Sequence, residues 1–262
     1  MAKEDKSKYL SNSLVRGLEI LKMFSPEQPT LSLAEISGYL GVSRTVPYRL
    51  LYTLQDLGYL HQDEVTKRYS LTPKVLELGF SYMNTLQLPE LSRKFMEQLR
   101  DETGFSSHLG ILENFEVVYI GRMPTMGVTT VTINVGSSLP AHATAMGKCL
   151  LAYLSEDKLN EKLERINLKQ FTERTKITLT EFRKELEEIK MKGYAISDGE
   201  FESNIRSVAA PIFNHDGVVA SVNVAAPIQS LNEEVIGDVI TKVCRCAKDI
   251  SSTISYSVNI FN

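Results

Sequence analysis

Cysteine is scarce in this chain: three residues in 262, at Cys149, Cys244 and Cys246. An odd count without paired spacing supports no disulfide framework and suits a reducing compartment. Histidine is as sparse, and His61, His108, His142 and His215 are scattered, so Cys244-x-Cys246 lacks the further ligands of a metal site. No apolar run approaches the ~20 residues of a membrane-spanning helix, and MAKEDKSKYLSNS contains no apolar signal core. The expected compartment is the cytoplasm, with no membrane partner. Gly-x-Ser-x-Gly, the phosphate loop and Gly-x-Gly-x-x-Gly are also missing. Asp198, Glu200 and Glu202 read as solvated turn acids, with no nucleophile beside a base. Neither an enzyme nor a cofactor is expected. There is no internal repeat and no low-complexity segment.

The composition that remains, 43% hydrophobic and 23% charged, is that of a globular chain long enough for two domains. Its charge is divided unevenly. The net is −3, yet residues 1–75 carry ten Lys/Arg against eight Asp/Glu, and the rest carries a net of −5. Nucleic-acid contact should therefore be local to the first segment, and a dimer would double it.

That segment carries the most informative pattern. In LSLAEISGYLGVSRTVPYRLLYTLQDLGYL, Ala34–Leu40 forms a short helix with Ile36 and Leu40 inward, and Gly41 suits the turn. Ser43 is placed to cap a second helix with Val46, Leu50, Leu51 and Leu54 on its apolar side. Pro47 falls in that helix's first turn, where a missing N–H is tolerated. Two short strands, Tyr59–Gln62 and Arg68–Leu71, flank a polar tip. The whole reads as a winged helix-turn-helix, with Ser43, Arg44, Thr45, Tyr48 and Arg49 toward the major groove and Lys67 and Arg68 toward the sugar–phosphate backbone. A plain helical hairpin with a glycine turn is the ordinary alternative; the basic wing favours DNA.

Ahead of it, Leu14, Leu18, Ile20, Leu21 and Phe24 make a helical stripe that should pack under the other two helices. After it, Thr72-Pro73 opens a helix through Leu86, apolar on more than one side and ended by Leu88-Pro89. A capped helix, Leu91–Thr103, precedes strands at Ser106–Leu112, Val117–Met123 and Thr129–Val135. LPAHATAMGKCLLAYL turns from loop into helix. Helices at Glu156–Ile166 and Thr180–Lys192, strands at Tyr194–Ser197, Ser207–Phe213 and Val218–Ala225, and a helix from Asn232 to Ser255 complete the chain. The class is α+β, with a sensory domain of the GAF or PAS kind. The boundaries expected are a tail at 1–12, the reader at 13–73, a linker helix at 74–88 and the second domain at 89–258.

The order of these elements, with SLVRGLEILKMF, KRYSLTPKVLELG, LPAHATAMGKCLLA and EFESNIRSVAAPIFNHDGVVASVNVAAP, resembles the IclR family of bacterial transcription regulators from Ser13 to Tyr256. VTTVTINVGSSLPAHATAMGKCLLA is most similar to members governing aromatic-acid catabolism, of the β-ketoadipate and protocatechuate type. The resemblance implies operator DNA and a small organic acid as partners, the latter in a pocket with Ala145, Met146, Ser197, Asp198, Ser207, Asn223 and Ala225. It also implies a homodimer, paired into a dimer of dimers. A helix N-terminus at Thr144–Lys148 suits a carboxylate; the ordinary reading is a capped helix with Lys148 solvated. Where relatives show Asp and Cys this chain has Ser197 and Ser207, a more neutral lining, and on the strand carrying Asn223 and Ala225 relatives often show Ser. Arg122 is a further cation for an acid, and His142 reads as a loop hydrogen-bonder. The rival to a ligand-responsive regulator is a constitutive DNA-binding protein whose second domain only oligomerises.

Overall fold

The computed structural model describes residues 9–125 and 133–254. The chain divides into two compact units, Met1–Tyr82 and Met83–Asn262.

In the first unit, α1 (Asn12–Lys22) is capped by Ser11 and buries Ile20. Leu14 and Leu18 of the expected stripe are 63% and 48% exposed, so α1 packs by a narrow edge rather than along the whole stripe. A two-residue strand, β1 (Thr30–Leu31), was not anticipated. Next, α2 (Leu33–Leu40) opens with a reciprocal Ser32–Glu35 capping box and closes on Gly41 at φ 63°. The recognition helix α3 (Thr45–Asp56) starts later than Ser43 implies, with Arg44 as its cap residue and no side-chain cap. Pro47 explains this. It has no N–H to give the Ser43 carbonyl, which takes the Val46 N–H at 3.1 Å in a tighter turn. The Ser43 hydroxyl meets Thr45 Oγ1 at 2.9 Å instead.

The wing consists of β2 (Leu60–Gln62) and β3 (Tyr69–Leu71), with β1 on the other edge of β3. Ile20, Leu31, Ile36, Leu51, Leu60 and Tyr69 form one core beneath helices and sheet. Beyond the wing the single helix expected over Lys74–Leu86 is a 3-10 turn, Pro73–Val75, followed by α4 (Leu76–Met83).

In the second unit, α5 (Leu88–Thr103) begins where a helix end was expected. An X-Pro pair stops a preceding helix, but Pro in a first turn equally starts one, and Pro89 does the latter. A six-stranded antiparallel sheet follows, in the order β6-β5-β4-β9-β8-β7. Its strands are β4 (Ser107–Glu113), β5 (Glu116–Met123), β6 (Ser138–Pro140), β7 (Ala195–Asp198), β8 (Ile205–Asn214) and β9 (Gly217–Pro227). Of the strand expected at Thr129–Val135, residues 129–132 lie outside the described residues and 133–135 lead into a turn. The partner of β5 on that edge is β6.

Period-two alternation gives the sheet two buried faces. Leu109, Ile120, Val208, Val222 and Val224 pack on α5 and on α9 (Ile236–Ile254). Tyr119, Ala195 and Ala209 face α6 (Ala145–Ala152) and α8 (Leu179–Lys192). The short α7 (Glu156–Leu163) lies between these two in sequence. All eight residues of α6 are buried, and a Cβ on Gly147 would run into the Ala141 backbone. Hence this helix sits closer to the preceding turn than any side chain allows.

Candidate nucleic-acid interface and ligand cleft

The outer face of α3 carries Arg44, Thr45, Tyr48, Arg49, Tyr52 and Thr53, all exposed. Ser43 is exposed just ahead of it. Tyr52, 66% exposed and one turn beyond Tyr48, belongs to this surface and was missed, although the i, i+4 spacing predicts it. Neither Arg44 nor Arg49 forms an ion pair or side-chain hydrogen bond among the described residues.

The two wing cations differ sharply. Lys67 lies exposed at the tip in a left-handed conformation, φ 56°, and its side chain has no partner among the described residues. Arg68 is turned into the fold. Its Nε donates to Thr30 Oγ1 and its Nη2 to the Thr30 carbonyl, both at 2.9 Å, and Nη2 lies 3.0 Å from Glu35. The guanidinium thus ties β3 to β1 and to the cap of α2, a place that departs from the backbone contact expected of it. The Glu35 carboxyl, held by the Ser32 N–H and hydroxyl and by Arg68, is lowered to about 2.

In the second unit a narrow cleft lies on the α6 side of the sheet, with about 40 Å³ accessible to a water-sized sphere. Ser197, Ser207, Asn223 and Ala225 of the expected set line it, joined by Tyr119, Ile133, Leu139, Phe201 and Glu202. The register explains the grouping. Ser197 is opposite Ser207, and Ser207 opposite Ala225, so one cross-strand row of β7, β8 and β9 supplies three small side chains. The next row sets Arg122, His108 and Asn223 side by side.

Three expected residues are elsewhere. Ala145 and Met146 are wholly buried in the core beneath and do not line the cleft. Asp198 faces outward, paired with Arg206 at 2.8 Å and Arg174 at 3.2 Å, because its neighbour Ser197 takes the inward position of the strand. The Arg206 guanidinium beside it holds its carboxyl below the ordinary range. Arg122 reaches Asn134 Oδ1 at 3.2 Å rather than the cleft. His142 Nε2 donates to the Lys169 carbonyl at 2.9 Å, a loop hydrogen bond.

Two buried polar groups escaped sequence reading. His108 is fully buried, its Nδ1 3.1 Å from Asn223 Oδ1 and its ring edge-on to Tyr119. Burial pushes it down to about 4, so the ring is neutral. Asn223 turns Oδ1, which only accepts, toward the ring, so the proton is on Nδ1. Its Nδ2, a pure donor, is then the amide atom left for the cleft. Lys148, expected in solvent, is also fully buried. Its Nζ reaches Glu185 Oε1 and the Ile196 carbonyl at 2.8 Å and Glu200 Oε1 at 2.5 Å. Glu200, read as a solvated turn acid, is 4% exposed, and burial raises its carboxyl despite the ammonium. This pairing pins the turn that carries Phe201 and Glu202 of the cleft.

A winged helix-turn-helix with unpaired cations, in one chain with a sheet domain holding a cleft of mixed polar and apolar lining, has the build of a transcription regulator. The chain belongs to the IclR family: the "IclR helix-turn-helix domain" profile matches residues 13–64 and the "Bacterial transcriptional regulator IclR C-terminal" profile residues 80–252. It is 34% identical over 218 residues to the Pca regulon regulatory protein of Pseudomonas putida, covering 82% of this chain and 74% of that one. The Thermotoga maritima IclR structure matches 94% of this chain and 99% of its own, at TM-score 0.74 and 28% identity. An IclR homolog from Microbacterium hydrocarbonoxydans, solved with 4-hydroxybenzoate, shares the fold at TM-score 0.79 and 21% identity, over 94% of this chain and all of that one. No helix among the described residues is long and apolar enough to cross a membrane.

Proposed function

We propose that this regulator reads an operator through Arg44, Thr45, Tyr48, Arg49 and Tyr52, with Ser43 at the approach and Lys67 on the backbone, and that a small carboxylic acid in the cleft adjusts its affinity. The observation that carries the second half is the polarity of the cleft. Asn223 Nδ2, Ser207 Oγ and the Tyr119 hydroxyl are donors available in it among the described residues, and they sit beside the apolar surfaces of Ile133, Leu139, Phe201 and the Tyr119 ring. A carboxylate meets the donors and an apolar or aromatic body the rest, while the Glu202 carboxylate at the rim accepts from a ligand hydroxyl. The 4-hydroxybenzoate bound by the Microbacterium hydrocarbonoxydans homolog has that combination of groups. Ala145 and Met146 support the cleft from below rather than touching the acid.

The active form is a homodimer, paired as a dimer of dimers. Leu14 and Leu18 on α1, and Leu76 and Phe80 on α4, are 48% to 63% exposed, more apolar surface than a lone reader gains by showing. A coupling of about 1–3 kcal/mol between acid and DNA would be ordinary. The test is a melting-temperature screen of the purified chain against aromatic and aliphatic carboxylic acids, since a ligand of the native state must raise it. No shift with any acid at millimolar concentration would favour the constitutive reading.

A further inference from the structure

We infer that the groove between α1 and α3 is a second phosphate-binding element of the reader, with Arg16 as its added cation; the inference rests on α3 being the DNA-reading helix. The groove is lined by Ser13 and Arg16 from α1 and by Thr45, Arg49 and Thr53 from α3, and holds about 950 Å³ of free space open to solvent. Its two ionisable groups are both guanidinium ions, and three hydroxyls stand with them. No carboxylate lines it among the described residues.

The arginines of the described residues sort in a way that singles this place out. Arg68, Arg93, Arg100, Arg165, Arg174, Arg206 and Arg245 each have a carboxylate partner. Arg122 and Arg183 each donate to an asparagine side-chain oxygen. The three without a side-chain partner among the described residues are Arg16, Arg44 and Arg49. All three lie on α1, on α3 or at the cap of α3.

Arg16 is held in place for this. Ser13, Arg16 and Ile20 occupy one face of α1 at i, i+3 and i+7, and Ile20 anchors that face in the core at 0% exposure. Leu14 and Leu18 occupy another face. Arg16 is half-buried and lines the groove together with Thr45, Arg49 and Thr53 of α3. The DNA geometry meets it there. A major groove about 12 Å wide closes around a helix about 10–12 Å across, so the phosphate walls run along the flanks of α3. One flank of α3 is this groove, and a guanidinium suits a phosphate bidentately.

The test uses the full chain and a fluorescein-labelled duplex of random sequence, about four helical turns long, with binding followed by anisotropy across a salt series from low to above physiological strength. Arg16→Gln should weaken binding roughly three- to tenfold near physiological salt and lower the log–log salt slope by about 0.9 for each phosphate it no longer neutralises. Arg16→Lys should regain most of the slope, and Lys158→Gln, a like charge change on an exposed α7 residue, should match the parent. A parent-like slope for Arg16→Gln, with Arg44→Gln lowering it, would overturn the inference and leave α3 as the reader. Parent-like slopes for both would overturn the reading of α3 as well. Should Arg16→Gln melt early, Ser13→Glu decides, because it brings an anion to the groove and leaves Arg16 untouched: weakened binding supports the site, and unchanged binding refutes it.

Discussion

His108 offers a quantitative handle on the second unit. Its imidazole is fully buried, donates to Asn223 and is lowered from 6.5 to about 4, chiefly by burial. The unfolded chain therefore takes up a proton at a higher pH than the folded one. The stability this group supports is complete above pH 6.5 and is lost as the pH falls toward 4. The difference between the two values corresponds to about 3 kcal/mol in full, of which about 2 kcal/mol is lost by about pH 5. His108→Leu removes the titration and costs about 1 kcal/mol near neutral pH through the lost hydrogen bond to Asn223. The two stability curves should cross: the variant is weaker than the parent at about pH 7 and stronger near about pH 4.5. Urea denaturation followed by circular dichroism at half-unit pH steps measures this. Parallel curves for parent and variant across that range would show that His108 titrates normally and is not held neutral by burial.

Lys148→Ala leaves Glu185 only its pair with Lys176 at 3.0 Å and leaves buried Glu200 with Lys176 4.0 Å away, and should destabilise the second unit by about 3 kcal/mol. The deficit should shrink as acid is added, because Glu200 already holds its proton more tightly in the folded chain; denaturation midpoints at neutral and mildly acidic pH check both. Arg68→Ala should lower the melting temperature of the reader and loosen the wing, seen as faster amide exchange at Tyr69 and Ser70, whereas Lys67→Ala should leave stability unchanged and weaken all DNA evenly. Arg44→Ala should cost about 1–3 kcal/mol on operator DNA but much less on random DNA, if it reads a base; equal losses on both would assign it to the backbone.

The reader was legible because its information is local. The α2–α3 turn, the apolar positions and the Pro47 placement each lie within a few residues of what they control. The capping pair Ser32–Glu35 is equally local, its two residues three positions apart. What the sequence hid is set by partners far along the chain. Lys148 is buried because Glu185 and Glu200, 37 and 52 residues away, come to meet it. His108 and Asn223 become neighbours only through the β4–β9 pairing, 115 residues apart. Arg68 reads as a free wing cation until β1 places Thr30 against it. The cleft was half legible. Its small cross-strand row of Ser197, Ser207 and Ala225 was found, but Ala145 and Met146 were assigned to it from the loop-to-helix turn, and the depth of α6 in the core puts them out of reach. Pro89 was ambiguous locally, since the same residue ends one helix or begins the next.

The proposal that an acid occupies the cleft and acts on DNA binding is tested most directly by filling the cleft. Ala225→Leu adds bulk on the wall of the cleft, whereas Ala145→Leu adds it in the packed core below and should cost about 1–3 kcal/mol by overpacking. The measurement is the acid-induced rise in melting temperature of the full chain, taken with whichever carboxylic acid shifts the parent most. Ala225→Leu should abolish that rise while binding DNA like the parent, and Ala145→Leu, melting earlier, should still show it. An undiminished rise in Ala225→Leu would place the acid elsewhere and contradict the account.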